Sequence, residues 1–164
     1  QGIVAVVQKE EVGQADFSQG KFLFLEDVQD PGNVGTIIRT ADAAGFTGVI
    51  VSEKSADIYS LKTLRSMQGS HFHLPIYRMS SQRLLEGAKE AGIPVLATTL
   101  SKDSVDYREL PPIENFVLVM GNEGQGISPL MAESADQLVH ISMKGQAESL
   151  NVAVAAGILV FHLS

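Results

Sequence analysis

The sequence contains no cysteine among its 164 residues, which rules out disulfide staples and thiolate chemistry. It has no apolar run reaching the roughly 20 residues that a helix needs to cross a bilayer. Its start shows neither a basic region ahead of an apolar stretch nor a small-residue cleavage site, so no secretory signal is expected. These absences fit a cytoplasmic location. Positive charge is also scarce: 12 Lys and Arg stand against 19 Asp and Glu, a formal charge of −7. Taken alone, that balance argues against a chain that grips nucleic acid over a large surface. No internal repeat or low-complexity segment breaks the chain, and the abrupt opening with Gln1-Gly2 fits a piece of a longer protein.

What is present points to one globular domain: 45% of the residues are hydrophobic and 19% charged, at a length that can bury a sizeable core. Apolar runs rich in β-branched residues predict buried strands over Ile3–Val7, Phe22–Leu25, Val49–Val51, Ile93–Ala97, Phe116–Met120 and Val139–Ile141. His71–Tyr77 is mixed and read as extended. Between these runs, helical spacing predicts a helix over Val34–Ala44, with Asn33 as its cap and Gly45 as its end. Further helices are predicted over Ser60–Met67, over Ser81–Ala91 with Ser81 as cap and Gly92 as stop, and around Ser128–Ser134. Lys9–Gly20 and Ser101–Pro112 read as polar connections. Strand, helix and strand within about thirty residues make a parallel βαβ unit, so the expected class is α/β with a mostly parallel sheet flanked by helices.

The C-terminal stretch stands apart. Ser149 and Asn151 are the polar side chains at the mouth of a helix whose next ten residues, Val152 to Phe161, carry no charge. A surface helix would show a polar face, so this one must be covered by the core, a second subunit or both. Its first N–H groups need acceptors, which Ser149 or Asn151 can supply, and such a helix start is a good place to hold a ligand.

In open parallel sheets ligands bind beyond the carboxyl ends of the strands. Three polar, glycine-bearing loops follow strands here: Glu26–Gly35, Gly121–Gly126 and Ser142–Ser149. Their chemistry-bearing side chains, with the helix that follows the first, are Asn33, Arg39, Asn122, Glu123, Ser149 and Asn151. With a helix opening at Val34, Arg39 lies one and a half turns in and can project toward a ligand, although a solvated helix charge is an equally good reading. Gly121, Gly124 and Gly126 lack the order of a dinucleotide fingerprint, and no phosphate-binding Gly-x-x-x-x-Gly-Lys motif is present. His71 and His73 have no third ligand nearby in sequence, which is weak ground for a metal site. Asp27 and Asp30 could hold a cation, but a turn ahead of a helix favours Asp for local hydrogen bonding anyway. Ser149 has no histidine at a spacing that suggests a hydrolase triad.

Together the three loops resemble the motifs of the SpoU family of RNA ribose methyltransferases. Asp30-Pro31-Gly32-Asn33-Val34-Gly35 followed by Arg39-Thr40-Ala41 looks like the first motif. Gly121-Asn122-Glu123-Gly124-Gln125-Gly126-Ile127 looks like the second, and Ile141-Ser142-Met143 with Ser149-Leu150-Asn151-Val152-Ala153-Val154-Ala155 like the third. The resemblance spans nearly the whole chain. It implies an α/β fold with a C-terminal trefoil knot, S-adenosylmethionine as cofactor, a homodimer, and methylation of a ribose 2′-hydroxyl in ribosomal or transfer RNA, ribosomal being favoured. It also implies that Gly121, Ile141, Met143, Leu150 and Asn151 hold the cofactor, and that Asn33, Arg39, Glu123, Ser149 and Asn151 form the catalytic centre, with no metal. Residues 1–164 would be one methyltransferase domain, with the family's small N-terminal RNA-binding domain outside it. The competing readings are a non-catalytic knotted module for dimerisation or RNA docking, which the intact polar set argues against, and a nucleotide-binding oxidoreductase, which the glycine order argues against.

Overall fold

The computed structural model describes residues 2–9 and 12–164. Seven strands form one sheet, in the order β3-β2-β1-β6-β4-β7-β5, and every strand pair is parallel. The strands are β1 (Lys21–Leu25), β2 (Gly48–Val51), β3 (Ile76–Arg78), β4 (Val95–Thr98), β5 (Val105–Asp106), β6 (Phe116–Met120) and β7 (Gln137–His140). The helices are α1 (Pro31–Ala43), α2 (Leu61–Met67), α3 (Ser81–Ala91), α4 (Pro129–Ser134) and α5 (Val152–Leu163).

The near-continuous apolar strands are explained by burial on both faces. Successive side chains alternate between the two faces. Leu23, Leu25, Leu118 and Met120 point toward α1, α2 and α5, where they meet Val34, Ile37, Met67, Val152, Ala156 and Leu159. Phe22, Phe24, Val117 and Val119 point the other way, toward Leu84 and Ala88 of α3 and Met131 of α4. The chain winds outward from β1 through β2 to β3, then returns to build β4 to β7 on the other side. The central β1–β6 pair is therefore the switch point where crevices form at the carboxyl ends.

Two helices meet at backbone distance because of Gly35. A Cβ on Gly35 would lie 2.5 Å from Ser66 Cβ and 2.6 Å from the Thr63 carbonyl oxygen, so glycine is what lets α1 and α2 pack. On its other side α1 packs against α5.

The structure corrects several sequence expectations. Ile3–Val7 is no strand: Ile3 is 97% and Val6 96% exposed, and neither sheet edge, β3 or β5, pairs with it. A β-branched run satisfies the pattern of a buried strand, but a strand also needs a partner, which the pattern cannot supply. Among the described residues of this arm, Phe17 is the first that is buried, packed edge-on against Phe22 with ring centres 5.0 Å apart. Helix α1 opens at Pro31 and is capped by Asp30, not Asn33; the Asp30 side chain accepts from the Asn33 N–H at 2.8 Å. Helix α3 is capped by Ser80, not Ser81. The polar connection 101–112 contains β5 and a 3-10 turn, Tyr107–Glu109, and His71–Tyr77 opens in a 3-10 turn, Ser70–Phe72, before β3.

Candidate active site

The first loop leaves β1 with a buried carboxylate. Glu26 is 3% exposed and accepts from Ser81 Oγ at 2.5 Å, Ser128 Oγ at 2.7 Å and the Ser128 N–H at 2.8 Å. Three charge-assisted bonds compensate its burial and tie β1 to the first residue of α3 and to the cap of α4. Next comes Asp27, in the left-handed region at φ 58°. The Ser52 hydroxyl donates to its Oδ1 at 2.7 Å while the Asp27 N–H reaches the same hydroxyl oxygen at 2.8 Å, which holds the strained turn. The turn presents the Asp27 carbonyl to Asn122 Nδ2 at 2.8 Å, and Asn122 Oδ1 in turn accepts from the N–H groups of Gly124 and Gln125. The first loop therefore shapes the second.

A chain of side-chain contacts then crosses all three loops. Asn151 caps α5: its Oδ1 accepts from the Ala153 and Val154 N–H groups at 2.9 and 3.2 Å. With its oxygen so engaged, its amide nitrogen is left to donate, and it does so to Asn33 Oδ1 at 3.1 Å. That contact turns the Asn33 amide nitrogen toward Glu123 Oε1, 3.3 Å away. Glu123 also accepts, at 3.3 and 3.4 Å, from the N–H groups of Asp30 and Gln29. These last contacts are long and exposed, and so individually weak. Asp30 itself is held below the usual carboxylate range, first by the Asn33 N–H it accepts and then by Lys62, 3.1 Å away.

Beside this chain lies a cleft of about 560 Å³ at the carboxyl ends of β4, β6 and β7. Its walls are Thr98-Thr99-Leu100, Met120 to Gly126, Val139 to Ile141, Met143, and Ser149 to Val152 with Ala155 and Leu159 of α5. Apolar side chains from Leu100, Ile141, Met143 and Leu150 face backbone groups and a few polar side chains. That lining suits a flat heterocycle with polar edges, and the volume suits one small cofactor. Gly121 allows the second loop to close on itself: a Cβ there would lie 2.4 Å from the Gly126 carbonyl carbon. The third loop is anchored from behind, where Ser142 Oγ lies 3.2 Å from His140 Nε2. Two bonds from Arg108, 2.7 and 2.9 Å, together with Ser142, hold the Asp106 carboxyl well below the usual range.

Of the residues expected from sequence, Gly121, Ile141, Met143, Leu150, Asn151, Glu123 and Ser149 all line this cleft. Asn33 joins through its bonds to Asn151 and Glu123. Arg39 is not gathered in. The earlier opening of α1 places it more than two turns from the helix start, on an exposed stripe, and among the described residues its side chain makes no hydrogen bond or ion pair. Among the described residues no ion pair joins Arg39 to Glu123. Sequence reasoning missed the wall from Thr98 to Leu100; in a parallel sheet the turn after β4 opens on the same edge as the others, and that was its signal. It also missed Glu26, which reads in sequence as an ordinary loop acid.

The comparisons agree with this geometry. The family described as SpoU rRNA Methylase matches residues 20–161. A Bacillus subtilis relative, the 23S rRNA (guanosine(2553)-2′-O)-methyltransferase RlmP, is 48% identical over 143 residues, 87% of this chain and 57% of its own length. A solved rRNA methyltransferase from Sinorhizobium meliloti, with AdoMet bound, superposes with a TM-score of 0.83 at 43% identity, over 87% of this chain and 55% of its own. The SpoU methyltransferase AviRb from Streptomyces viridochromogenes, in complex with AdoMet, gives 0.76 at 36% identity, over 92% and 60%. The chain thus spans little more than half the length of these relatives. Its cleft, its three loops and this likeness along most of its length have one explanation: the chain belongs to the SpoU rRNA methylase family.

Proposed function

We propose that this chain is the methyltransferase domain of an enzyme that moves a methyl group from S-adenosylmethionine to a ribose 2′-hydroxyl in RNA, ribosomal RNA in the first place. The observation that carries the reading is the cleft: it gathers the five residues expected to hold the cofactor, in a chain similar to two proteins solved with that cofactor bound. Gly121, Ile141 and Leu150 would hold the adenosyl part, largely through backbone groups, with Met143 as a wall. Bound there, the cofactor supplies a methyl group on a positively charged sulfur.

The protein's own part is to orient and to stabilise. The Asn151–Asn33–Glu123 chain holds its amides in one orientation without reorganisation during reaction. Ser149, exposed at the rim, is free to contact the ribose or the cofactor. As the hydroxyl oxygen bonds to the methyl carbon, the carbon–sulfur bond breaks and the hydroxyl proton must leave. Arg39 cannot accept it, because a guanidinium stays protonated. Its role is to orient the hydroxyl and stabilise developing negative charge, with the proton passing to another group or to water.

The same reading includes a homodimer. Val154 and Phe161 on α5 are 52% and 58% exposed, and Ile158 between them is half-buried. These positions lie on one helical stripe, whose covering would be worth about 1.5–3 kcal/mol per large side chain. A second subunit offers such a cover. The reading also includes a trefoil-knotted C-terminal segment, a cytoplasmic location, and a separate RNA-binding part outside residues 1–164. The test is transfer of isotope-labelled methyl from S-adenosylmethionine to deproteinised ribosomal RNA by the full-length protein, with the product nucleoside identified. A 2′-O-methylated nucleoside is expected; a base-methylated one, or no transfer by folded protein, would end the proposal.

A further inference from the structure

The chain's negative charge is not spread evenly. The stretch Ile58–Leu85 contains none of the 19 acidic residues, yet carries four of the 12 Lys and Arg and two of the four His. It is the longest acid-free stretch of the sequence, and it folds as α2, the 3-10 turn Ser70–Phe72, β3 and the start of α3, at one end of the sheet. On the α2 side, Leu61, Lys62 and Arg65 form the exposed stripe of the helix, and Leu61 is 71% exposed. Phe72, beyond the helix, is 77% exposed, with the His71 ring 4.0 Å from its own, and Tyr59, just before the helix, is 40% exposed under the Lys9 ammonium.

This strip runs beside α1 from end to end. Lys62 meets Asp30 at the first turn of α1, and His73 meets Asp42 at 3.0 Å in the last. Arg39 lies on the exposed stripe of α1 between those two points. The acids nearby are already engaged: Asp30 with Lys62, Asp42 with His73, and Asp57 with the Tyr59 N–H, leaving Glu53 at the margin. Among the described residues Arg65 makes no ion pair.

We infer that the exposed strip of α2 and the following turn, with Arg65 and Phe72 at its centre, is a docking track for single-stranded RNA leading to the methyl-transfer site. This rests on the reading of the chain as an RNA methyltransferase. Arg65 and the neighbouring Arg39, which have no acid partner among the described residues, suit phosphates, and exposed aromatic rings suit unstacked bases, which stack on such rings with little regard to sequence. A protein partner is the weaker fit, because the cores of protein interfaces are depleted in charge whereas here Lys62 and Arg65 interleave with the apolar groups.

The test is fluorescence anisotropy of the full-length protein with a labelled 20-nucleotide single-stranded RNA at several salt concentrations. Arg65→Glu should weaken binding at least about fivefold at low salt, and lower the slope of log affinity against log salt by about 0.7 for each phosphate that the variant no longer neutralises. Phe72→Ala should weaken binding about fivefold or more through the absence of base stacking, with the salt slope unchanged. Both side chains are exposed, so melting temperature and S-adenosylhomocysteine affinity should stay at wild-type values. RNA affinity and salt slope unchanged in both variants would overturn the inference. So would a shift in oligomeric state with RNA affinity intact, which would make the strip a protein interface. Failure of the methyltransferase reading looks different: wild-type protein would then transfer no methyl at all.

Discussion

The two halves of the site are built very differently. The cofactor half is enclosed by four chain segments, β4, β6, β7 and α5 with their turns, and its loops are fixed from behind by Glu26, Asp27 and Asp106. The proposed acceptor half rests largely on α1. Asn33 is held, but Arg39 stands in solvent without a partner among the described residues. One chain therefore carries a formed pocket for a small molecule, whereas the acceptor side of the proposed site is left open. On the proposed reading, the contacts that complete it would come from RNA, from a second copy, or from both. That division fits an enzyme that binds its cofactor alone and completes its catalytic centre only when the substrate arrives.

If the division holds, substitutions on the two sides should separate binding from chemistry. The largest expected effect is at Arg39. Arg39→Ala should slow single-turnover methyl transfer by about 10²–10³, the usual cost of removing one donor to a developing oxyanion, while cofactor affinity stays near wild type. Arg39→Lys should rescue poorly, because a point ammonium does not reproduce the planar fork. Equal losses in rate and affinity would instead make Arg39 part of the cofactor half.

Gly121→Ala is the converse. Its methyl group would collide with the Gly126–Ile127 backbone and shift the second loop. A displacement of about 1 Å costs roughly 10² in a positioned site, and here the loss should appear in S-adenosylhomocysteine affinity measured by calorimetry. Unchanged affinity would show that the second loop does not hold the cofactor.

A smaller effect is expected at the proposed subunit surface. Phe161→Ser removes an exposed apolar group, so the monomer should keep its fold while the dimer weakens, read by light scattering across a dilution series. An unchanged dimer would move the interface elsewhere.

The smallest is at Asp30. Asp30→Ala removes the α1 cap and should cost about 1 kcal/mol at pH 7, read by urea unfolding. The native carboxyl is held below its ordinary value, so its stabilisation is fully present above the unfolded value near 3.9 and is lost as pH falls through the lowered native one. The gap between wild type and variant should therefore narrow as pH falls below about 4. A gap that widened with acid would contradict the assignment of Asp30 as the charged cap.

Much of this was legible in the sequence, and the reasons are particular. Phe116–Met120 coincides with β6 because a parallel strand buried on both faces leaves an uninterrupted apolar run. The three loops were visible because Gly, Asn and Asp collect where strands end. Ile3–Val7 misled because it has the composition of a strand and no neighbour to pair with. Asn33 and Ser81, each expected to cap a helix, lie close to the residues that do, Asp30 and Ser80; several side chains near a helix start can accept the same N–H, and backbone geometry decides among them. The consequence is chemical: freed from capping, Asn33 can bridge Asn151 and Glu123, and Ser81 can reach Glu26. Glu26 and Asp27 were invisible as anchors, since their partners lie 25 to 102 residues away.

The most direct measurement is calorimetry of the 164-residue chain with S-adenosylhomocysteine. A finished cofactor half predicts saturable binding of one ligand per chain without RNA, and no binding of NAD. No heat at high micromolar ligand, from a sample shown to be folded, would contradict the claim that one chain completes the cofactor site.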